Sequence, residues 1–248
     1  QQQCLNTNLL GVKNIIDIIE QNKNNFKTNL ETILFVSSDK ACSPINTYGM
    51  CKAISEQLIT EKAYYMKDFK FVNIRYGNVL NSRGSIIPLL HKIGKDPNKS
   101  SFTLTHKDMT RFNITLNEGV EFVLKCMKIM LGGEIFIPKL KSLKIVDLIK
   151  TLKPGKKIKI IGLRPGEKIH EEMISKDDMR NVAEFNNFFV IVSNSEFRNF
   201  NLSNYLKKNK LAKKVKKINS YNSYDNDEFL SAKEIQSIIN KNIKDFVY

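Results

Sequence analysis

The order in which short apolar runs and helical stretches alternate is the feature that most constrains the fold of this chain. Thr32–Val36 is a continuous apolar run of the kind found in buried parallel strands, and Phe71–Arg75 is a second short strand. Leu5–Gln21 and Tyr48–Met66, which precede them, carry apolar residues at helical spacing. The order helix, strand, helix, strand predicts an α/β fold, a doubly wound parallel sheet covered by helices.

Beyond Gly84 the pattern of the sequence changes, which indicates a second, smaller domain with a polar C-terminal tail of about forty residues and a final helix from Ala232 onward. We place the first domain at residues 1–84 and the second at 85–248, with residues 112–131 packing back on the first. The elements predicted beyond Gly84 are helices at Ser85–Lys92, Leu116–Met130 and Lys144–Leu152, and strands at Phe102–Leu104, Glu134–Ile137 and Lys157–Ile161.

The chain is strongly basic, with a formal net charge of +15 from 40 Lys and Arg against 25 Asp and Glu. The densest basic run is Lys207–Lys217, and no RNA- or DNA-reading motif accompanies it. We therefore favour a solvated, compositionally biased surface over a nucleic-acid site, and we expect no nucleic-acid partner. A positive field would also attract an anionic diphosphate substrate.

The sequence gives no sign of a membrane span or a metal site. No apolar run reaches the roughly 18 residues that a span needs, so we expect no membrane partner and a cytoplasmic location. The four cysteines include no C-x-x-C pair and the three His show no metal-ligand spacing, which favours reduced structural thiols. The chain starts with Gln1 rather than Met and has no signal peptide, which suggests a fragment of a longer protein.

The segment Tyr48-Gly-Met-Cys-Lys52 places a phenol and an ammonium one helical turn apart on the same face. A phenol is a poor base at neutral pH, but a neighbouring ammonium favours the phenolate and lowers the phenol pKa. Such a pair takes a proton from a hydroxyl while hydride leaves the same carbon. Because this pattern is common in a Lys-rich chain, a packed Tyr beside an exposed Lys is the alternative.

The position of this pair after a strand end strengthens the catalytic interpretation. Ligands of open α/β sheets bind at the carboxyl ends of strands, and Ser38-Asp39-Lys40 stands at the end of the strand before Tyr48. The Ser38 hydroxyl is suited to a hydrogen bond with a substrate or with Tyr48. Asp39 and Lys40 form a possible acid and base, and a capped turn with a surface ion pair is the alternative.

These segments resemble the extended short-chain dehydrogenase/reductases and, more narrowly, the inverting UDP-N-acetylglucosamine 4,6-dehydratases. The resemblance covers nearly the whole chain and weakens after about Asn186. Its motifs are Phe35-Val-Ser-Ser-Asp-Lys-Ala41, Ser43-Pro-Ile-Asn46, Tyr48-Gly49 with Lys52, Arg75-Tyr-Gly-Asn-Val79, Ser82-Arg-Gly-Ser85, Met109-Thr-Arg-Phe112, Arg164-Pro-Gly-Glu-Lys168 and His170-Glu171. The resemblance implies that residues 1–84 are the C-terminal part of an NADP-binding Rossmann domain and that 85–248 bind the nucleotide sugar.

The family's reaction oxidises C4 of the sugar, eliminates water across C5 and C6, and returns the hydride to C6. The resemblance implies that Tyr48 deprotonates the C4 hydroxyl while Lys52 lowers the Tyr48 pKa and holds the cofactor ribose. It implies that Lys40 removes the C5 proton and that Asp39 protonates the departing C6 oxygen. Ser38 stands where the family often has Thr. Reprotonation of C5 from the other face would invert the sugar.

The resemblance also implies a set of binding residues. Val79 would lie beside the nicotinamide. The residues implied to contact the nucleotide sugar are Asn78, Arg83, Gly84, Ser85, Ile86, Ile87, Arg111, Arg164 and Glu167. Within this set Arg111 and Arg164 would contact the diphosphate and Glu167 the nucleoside ribose, with a surface ion pair as the alternative for each Arg. Asn113 departs from the family, which usually has an aromatic residue at that position.

The implied cofactor is tightly bound NADP, regenerated in each cycle, and the implied assembly is a homo-oligomer acting on a UDP-sugar. The glycine-rich phosphate loop and the early strands of a Rossmann domain are absent from the sequence, so the sequence predicts an incomplete dinucleotide site. A retaining 4,6-dehydratase or a UDP-sugar 4-epimerase of the same superfamily is the nearest alternative. Against it, an epimerase needs no elimination pair, and the retaining relatives often carry Met at the position of Tyr48. A basic, non-enzymatic binding protein is the remote alternative.

Overall fold

A computed structural model describes residues 1–26, 29–80, 82, 85–96, 101–152, 155, 157–193, 200–216 and 219–244. The helices are α1 (Gln2–Leu5), α2 (Gly11–Gln21), α3 (Lys23–Phe26), α4 (Thr47–Tyr65), α5 (Ile86–Lys95), α6 (Leu116–Ile129), α7 (Ile145–Leu152), α8 (Leu202–Lys208) and α9 (Ala232–Lys244), and a π-helical stretch, Asn6–Leu10, lies between α1 and α2. The strands are β1 (Thr32–Ser38), β2 (Lys70–Tyr76), β3 (Asn78–Val79), β4 (Ser101–Leu104), β5 (Thr110–Ile114), β6 (Glu134–Pro138), β7 (Ser142–Lys144), β8 (Lys157–Ile160), β9 (Glu172–Ile174), β10 (Val182–Glu184), β11 (Phe188–Val192), β12 (Lys213–Lys214) and β13 (Tyr221–Asn222).

The main sheet lies in a compact unit made of residues 1–76, 120–139 and 172–221, and its strand order is β1-β2-β6-β11-β10-β12. β1, β2 and β6 run parallel, with Thr32 opposite Lys70 and Asn73 opposite Ile135. β11, β10 and β12 extend this sheet in the antiparallel sense. The predicted α/β fold with a parallel sheet is confirmed, and the antiparallel extension was not predicted from the sequence.

Strand β2 shows why helices cover both faces of this sheet. Successive side chains of a strand point to opposite faces. Phe71 packs in a cluster with the apolar sides of α2 and α4, whereas Val72 and Ile74 pack in another cluster with Phe122 of α6. All three β2 side chains are 0% exposed, and full burial of such a side chain stabilises the fold by about 1.5–3 kcal/mol.

A second compact unit consists of residues 77–119, 140–171 and 222–248. It contains a sheet of order β3-β5-β7 and a parallel pair, β4 with β8. Its core includes Phe102 and Leu104 of β4, Leu148 of α7 and Ile235 of α9. The unit therefore has its own apolar core.

The observed units differ from the predicted boundary at residue 84 because the chain passes between them several times. Residues 120–139 and 172–221 return to the first unit, where β6, β10 and β11 complete the main sheet. The return of residues 120–139 overlaps the predicted stretch 112–131, whereas the return of 172–221 has no local mark in the sequence, since it depends on pairing between distant strands. The functional assignment of the two predicted domains stays a prediction.

Candidate active site

Three polar side chains at the end of β1 bind one another. Ser38 is extended, and its Oγ accepts a hydrogen bond from the Lys40 backbone N–H at 3.2 Å, which caps a short 3₁₀ turn at Asp39–Ala41. Ser38 Oγ also donates to Asp39 Oδ1 at 2.8 Å, and Lys40 Nζ lies 2.9 Å from the same oxygen. The structure therefore brings Ser38, Asp39 and Lys40 into one cluster.

Asp39 has one carboxylate oxygen engaged and one without a partner. The residue is 0% exposed, and among the described residues its Oδ2 has no hydrogen-bond partner. A buried polar atom left unsatisfied costs about 1–3 kcal/mol. Such an atom in a folded protein calls for an explanation, and a donor on a bound ligand supplies one. Oδ2 is thus the Asp39 oxygen that stays available as an acceptor within the described residues.

Helix α4 begins directly against this cluster. Asn46 Oδ1 caps the helix by accepting a hydrogen bond from the Gly49 N–H at 2.9 Å. A Cβ built on Gly49 would lie well under 3.0 Å from the Lys40 carbonyl oxygen and 3.1 Å from the Pro44 Cβ. Glycine is therefore what allows the first turn of α4, which carries Tyr48, to approach the backbone of Lys40.

Lys52 lies one turn after Tyr48 and reaches the end of β1. Its Nζ donates to the Val36 carbonyl at 3.3 Å and lies 4.6 Å from the centre of the Phe35 ring and 5.9 Å from the centre of the Tyr48 ring. Burial lowers the pKa of Lys52, and the Glu56 charge opposes this shift. An ammonium has three donors, so with the Val36 carbonyl as its hydrogen-bond acceptor among the described residues, Lys52 keeps donors for the hydroxyls of a ligand.

The electrostatics at Tyr48 differ from the sequence expectation. Burial raises the pKa of Tyr48, and this effect outweighs the Lys40 charge, which lowers it, while the Asp39 charge raises it further. Within the part of the chain that the structure describes, the cation that lowers the phenol pKa is thus Lys40 rather than Lys52. The Tyr48 ring remains 38% exposed, so a ligand has access to it.

Two of the binding residues suggested by the resemblance form a short strand in the second compact unit. Asn78 and Val79 make up β3, and they stand in parallel register with Asn113 and Ile114 of β5. Both β3 side chains are half-buried. The β5 partner of Asn78 is therefore Asn113, the position at which the family usually has an aromatic residue. A small polar side chain stands there in this chain.

The loop suggested to surround the nucleotide sugar is described only in part, because Arg83 and Gly84 lie outside the described residues. Ser85 precedes α5, and its Oγ is buried without a hydrogen-bond partner among the described residues. Ile86 is partly buried, but Ile87 is 1% exposed within the core of the second unit. The Ile87 side chain is therefore committed to that core, and its backbone is what remains for ligand contact.

The Arg111 guanidinium is hydrogen-bonded to backbone carbonyls of its own chain. Its Nη1 donates to the carbonyl oxygens of Thr110 at 2.7 Å and Ile169 at 2.9 Å, and its Nη2 donates to that of Lys168 at 2.9 Å. Its Nε lies 3.5 Å from Glu171 Oε1. A guanidinium has five N–H donors, and the three hydrogen bonds use three of them. Arg111 therefore holds the 168–171 segment and, within the described residues, keeps donor capacity for a phosphate.

Arg164 and Glu167 belong to one tight turn of the second unit. The Arg164 N–H donates to Glu167 Oε2 at 3.1 Å, and the Glu167 N–H donates to the Arg164 carbonyl at 3.1 Å. Gly162 and Gly166 take positive φ values of 88° and 75° on either side of Arg164, a conformation that glycine adopts without strain. The Arg164 side chain is exposed, and the Glu167 carboxylate retains lone pairs for ligand hydroxyls.

A buried ion pair behind the cluster is a feature that sequence reasoning misses. Arg75 of β2 donates through Nε at 3.1 Å and through Nη2 at 2.5 Å to the Glu56 carboxylate of α4, and its Nη1 donates to the Met173 carbonyl at 2.6 Å. The sequence does carry a signal for this ion pair, because Arg75 is a charged residue inside an apolar strand and Glu56 is an acid one helical turn after Lys52. The neighbouring Glu172 also contacts the site and had no local signal.

Further observations concern metals, thiols and membranes. Within the described ranges, no group of three or more His, Cys, Asp or Glu is placed to hold a metal ion. Over the same residues, the helices are too short or too polar to cross a membrane. The cysteines are free, and Cys42, Cys51 and Cys126 are buried, which agrees with the structural thiols expected from the sequence.

Comparisons with known proteins give one family model and several similar proteins. Residues 1–193 match the model of the family described as polysaccharide biosynthesis protein. The UDP-N-acetylglucosamine 4,6-dehydratase (inverting) of Campylobacter jejuni is 40% identical over 96% of this chain and 70% of its own length. A UDP-glucose 4-epimerase of Rickettsia bellii is 35% identical over 76% of this chain and 55% of its own length. The solved structure of Pen from Bacillus thuringiensis matches with a TM-score of 0.78 and 31% identity over 95% of this chain and 68% of that one.

Proposed function

We propose a nucleotide-sugar 4,6-dehydratase activity for this chain, which belongs to the polysaccharide biosynthesis protein family and, within it, to the group of the inverting UDP-N-acetylglucosamine 4,6-dehydratases. The proposed substrate is UDP-N-acetylglucosamine, and the proposed product is a 4-keto-6-deoxy sugar inverted at C5, used for deoxyamino sugars of surface glycans. The enzyme is then a hydro-lyase. The proposal includes a cytoplasmic location, expected from the sequence, and a homo-oligomer, implied by the resemblance.

The observation that carries the proposal is the Asp39 carboxylate. One of its oxygens accepts from Ser38 and Lys40, while the other is buried and lacks a partner among the described residues. A hydride-transfer site alone needs only the phenol and ammonium of Tyr48 and Lys52. A second acid and base beside them are what the loss of water requires, because one group must take the C5 proton and another must protonate the C6 oxygen.

The residues present fit one side of a nicotinamide cofactor. The Tyr48 hydroxyl and the Lys52 ammonium are a donor set suited to the hydroxyls of a ribose, and Lys52 has donors left after its bond to Val36. When bound, an oxidised nicotinamide accepts hydride from the sugar, returns it later in the cycle, and adds a positive charge that favours the phenolate. We propose NADP as this cofactor. Val79 is proposed to lie beside its ring.

Each proposed step transfers a proton or a hydride to or from a named atom. Tyr48 Oη takes the proton of the C4 hydroxyl as hydride leaves C4. The resulting C4 ketone acidifies the C5 hydrogen, and Lys40 Nζ, as the neutral amine, removes it. Asp39 in its protonated form gives a proton to the C6 oxygen, which leaves as water. After hydride adds to C6, C5 takes a proton from the opposite face, and the sugar is inverted there.

We propose that residues of the second unit bind the nucleotide. The remaining donor capacity of Arg111 and the exposed Arg164 suit a diphosphate, and Glu167 suits the hydroxyls of a ribose. Asn78, Ser85, Ile86 and the backbone of Ile87 complete the proposed set, with Arg83 and Gly84 outside the described residues. The net charge of +15 favours the approach of a UDP-sugar.

The experiment is NMR of the product formed from UDP-N-acetylglucosamine with NADP. The proposal expects a C6 methyl signal, a C4 ketone and coupling constants of the C5-inverted sugar. A product that retains its C6 hydroxymethyl group and differs at C4 would instead assign a 4-epimerase. A 6-deoxy product with the original C5 configuration would assign the retaining reaction.

A further inference from the structure

The loop between Ala41 and Asn46 joins the two proposed acid–base pairs. Lys40 stands at its start, and Tyr48 follows its end in the first turn of α4. Any change in the path of this loop therefore changes the distance between Lys40 and Tyr48. The contacts that fix the conformation of this loop therefore help to set the distance between Lys40 and Tyr48.

Ser43, in the middle of this loop, has an unfavourable backbone conformation. Its φ is +45°, and among the described residues it is the only non-glycine residue with a positive φ. The left-handed region disfavours an L-residue by roughly a factor of ten in population. Strained residues of this kind persist where the surrounding structure fixes them, and they concentrate at active sites.

Glu172 of β9 is the group that holds Ser43. The Ser43 Oγ donates to Glu172 Oε2 at 2.6 Å, and the Cys42 Sγ donates to the same oxygen at 3.6 Å. The Cys42 N–H donates to the Asp39 carbonyl at 3.2 Å, so these contacts lead directly to the proposed acid. Burial raises the pKa of Cys42 to about 12, which keeps its thiol protonated as a donor.

Glu172 stands on a rigid support. The next residue, Met173, is 0% exposed, and its carbonyl accepts a hydrogen bond from Arg75 Nη1 at 2.6 Å. The same guanidinium binds the carboxylate of Glu56 on α4, one turn after Lys52. Through Arg75, the helix that carries Tyr48 and the strand that carries Glu172 share one buried anchor.

We propose that Glu172 is a positioning residue, whose carboxylate holds Ser43 in its left-handed conformation and so fixes the Asp39–Lys40 pair relative to Tyr48. This inference rests on the proposed dehydratase function. It extends that function by naming a residue that does not touch the reacting atoms. Ser43 is its partner in the loop.

Substitutions at Ser43 separate the hydroxyl from the backbone strain. Ser43→Ala removes the hydroxyl and keeps the strained φ, so we expect kcat for dehydration to fall about 5–10-fold, with KM for the UDP-sugar unchanged. Ser43→Gly also removes the hydroxyl, but glycine adopts this φ freely, so we expect it to retain at least half of kcat. A merely structural hydrogen bond would make these two variants equal, and that result would overturn the proposal.

Substitutions at Glu172 test the other partner. Glu172→Ala should reproduce the loss in kcat of Ser43→Ala, and Glu172→Gln should restore most of it, because the amide oxygen still accepts from Ser43. In the Ser43→Gly background, Glu172→Ala should cause no more than a twofold further loss. Glu184→Ala, which removes an ion pair with Lys139 elsewhere in the same unit, is the control expected to keep full activity.

Hydrogen exchange of the peptide 39–47 gives a readout that is independent of activity. Glu172→Ala should increase its exchange rate about 5–10-fold, and Glu184→Ala should leave it unchanged. If exchange and kcat both match the unsubstituted protein in Glu172→Ala, the positioning role is wrong. If the unsubstituted protein yields no dehydrated sugar, the proposed function fails, and the exchange rates alone still decide whether Glu172 holds the loop.

Discussion

Substitution of Gly49 by alanine tests whether close packing of α4 on the Asp39–Ala41 turn sets the geometry of the site. The new Cβ would meet the Lys40 carbonyl oxygen well under 3.0 Å and the Pro44 Cβ at 3.1 Å. To restore an ordinary contact, the helix and the turn must separate by about 1 Å. Because the two neighbours are a backbone carbonyl and a proline ring, no flexible side chain can absorb the shift. Overpacking of this kind costs about 1–3 kcal/mol.

A displacement of about 1 Å between reacting groups can reduce a catalysed rate about 100-fold. We therefore expect Gly49→Ala to lower kcat for sugar dehydration by about 100-fold, while thermal unfolding shows a loss of only about 1–3 kcal/mol. Steady-state kinetics and thermal melts of the same samples measure both. Gly11→Ala is the matched control, since its Cβ would meet the Asn6 carbonyl at an ordinary 3.6 Å. A Gly49→Ala variant as active as Gly11→Ala would refute the packing argument.

Three further predictions follow from the described contacts and pKa shifts. Arg75→Met leaves the Glu56 carboxylate buried without its partner, so urea denaturation should show a loss of about 3–5 kcal/mol, and an unchanged midpoint would contradict this. Burial raises the pKa of Tyr48 above its ordinary value of about 10, so the phenolate fraction and the rate of C4 oxidation should still be rising at pH 9 without a plateau, and Tyr48→Phe should lack that rise. Burial raises the pKa of Cys42 to about 12, so iodoacetamide at pH 8 should label the partly exposed Cys4 before Cys42.

Much of the fold could be predicted because its signals are local. The strand at Thr32–Val36 is observed as β1, which continues to Ser38, and the helix predicted at Tyr48–Met66 is observed as α4. Both elements carry local signals, since β1 is a continuous apolar run and α4 begins directly after the Asn46 cap. The family and its dehydratase function, inferred from ordered motifs, are confirmed by the relative of 40% identity.

The remaining structure depends on contacts between distant residues. The run Phe188–Val192 is apolar enough to read as a strand, but its antiparallel pairing with β6 has no local signature. The bond from Ser43 to Glu172 joins residues separated by 129 positions, which one sequence cannot indicate. The roles of Ser38, Asp39, Lys40, Tyr48 and Lys52 stay predictions, because proximity in the structure shows where these groups are and an assay must show what they do.

In the proposed reaction, Tyr48 and Lys52 serve hydride transfer, and Asp39 and Lys40 serve the loss of water. Single-turnover absorbance at 340 nm, followed by NMR of the sugar, separates these two roles in Lys40→Ala. We expect C4 oxidation to survive in part and reduced nicotinamide to accumulate, while no C6 methyl group forms. Formation of the methyl group at the rate of the unsubstituted enzyme would contradict the assignment of Lys40 as the base for C5.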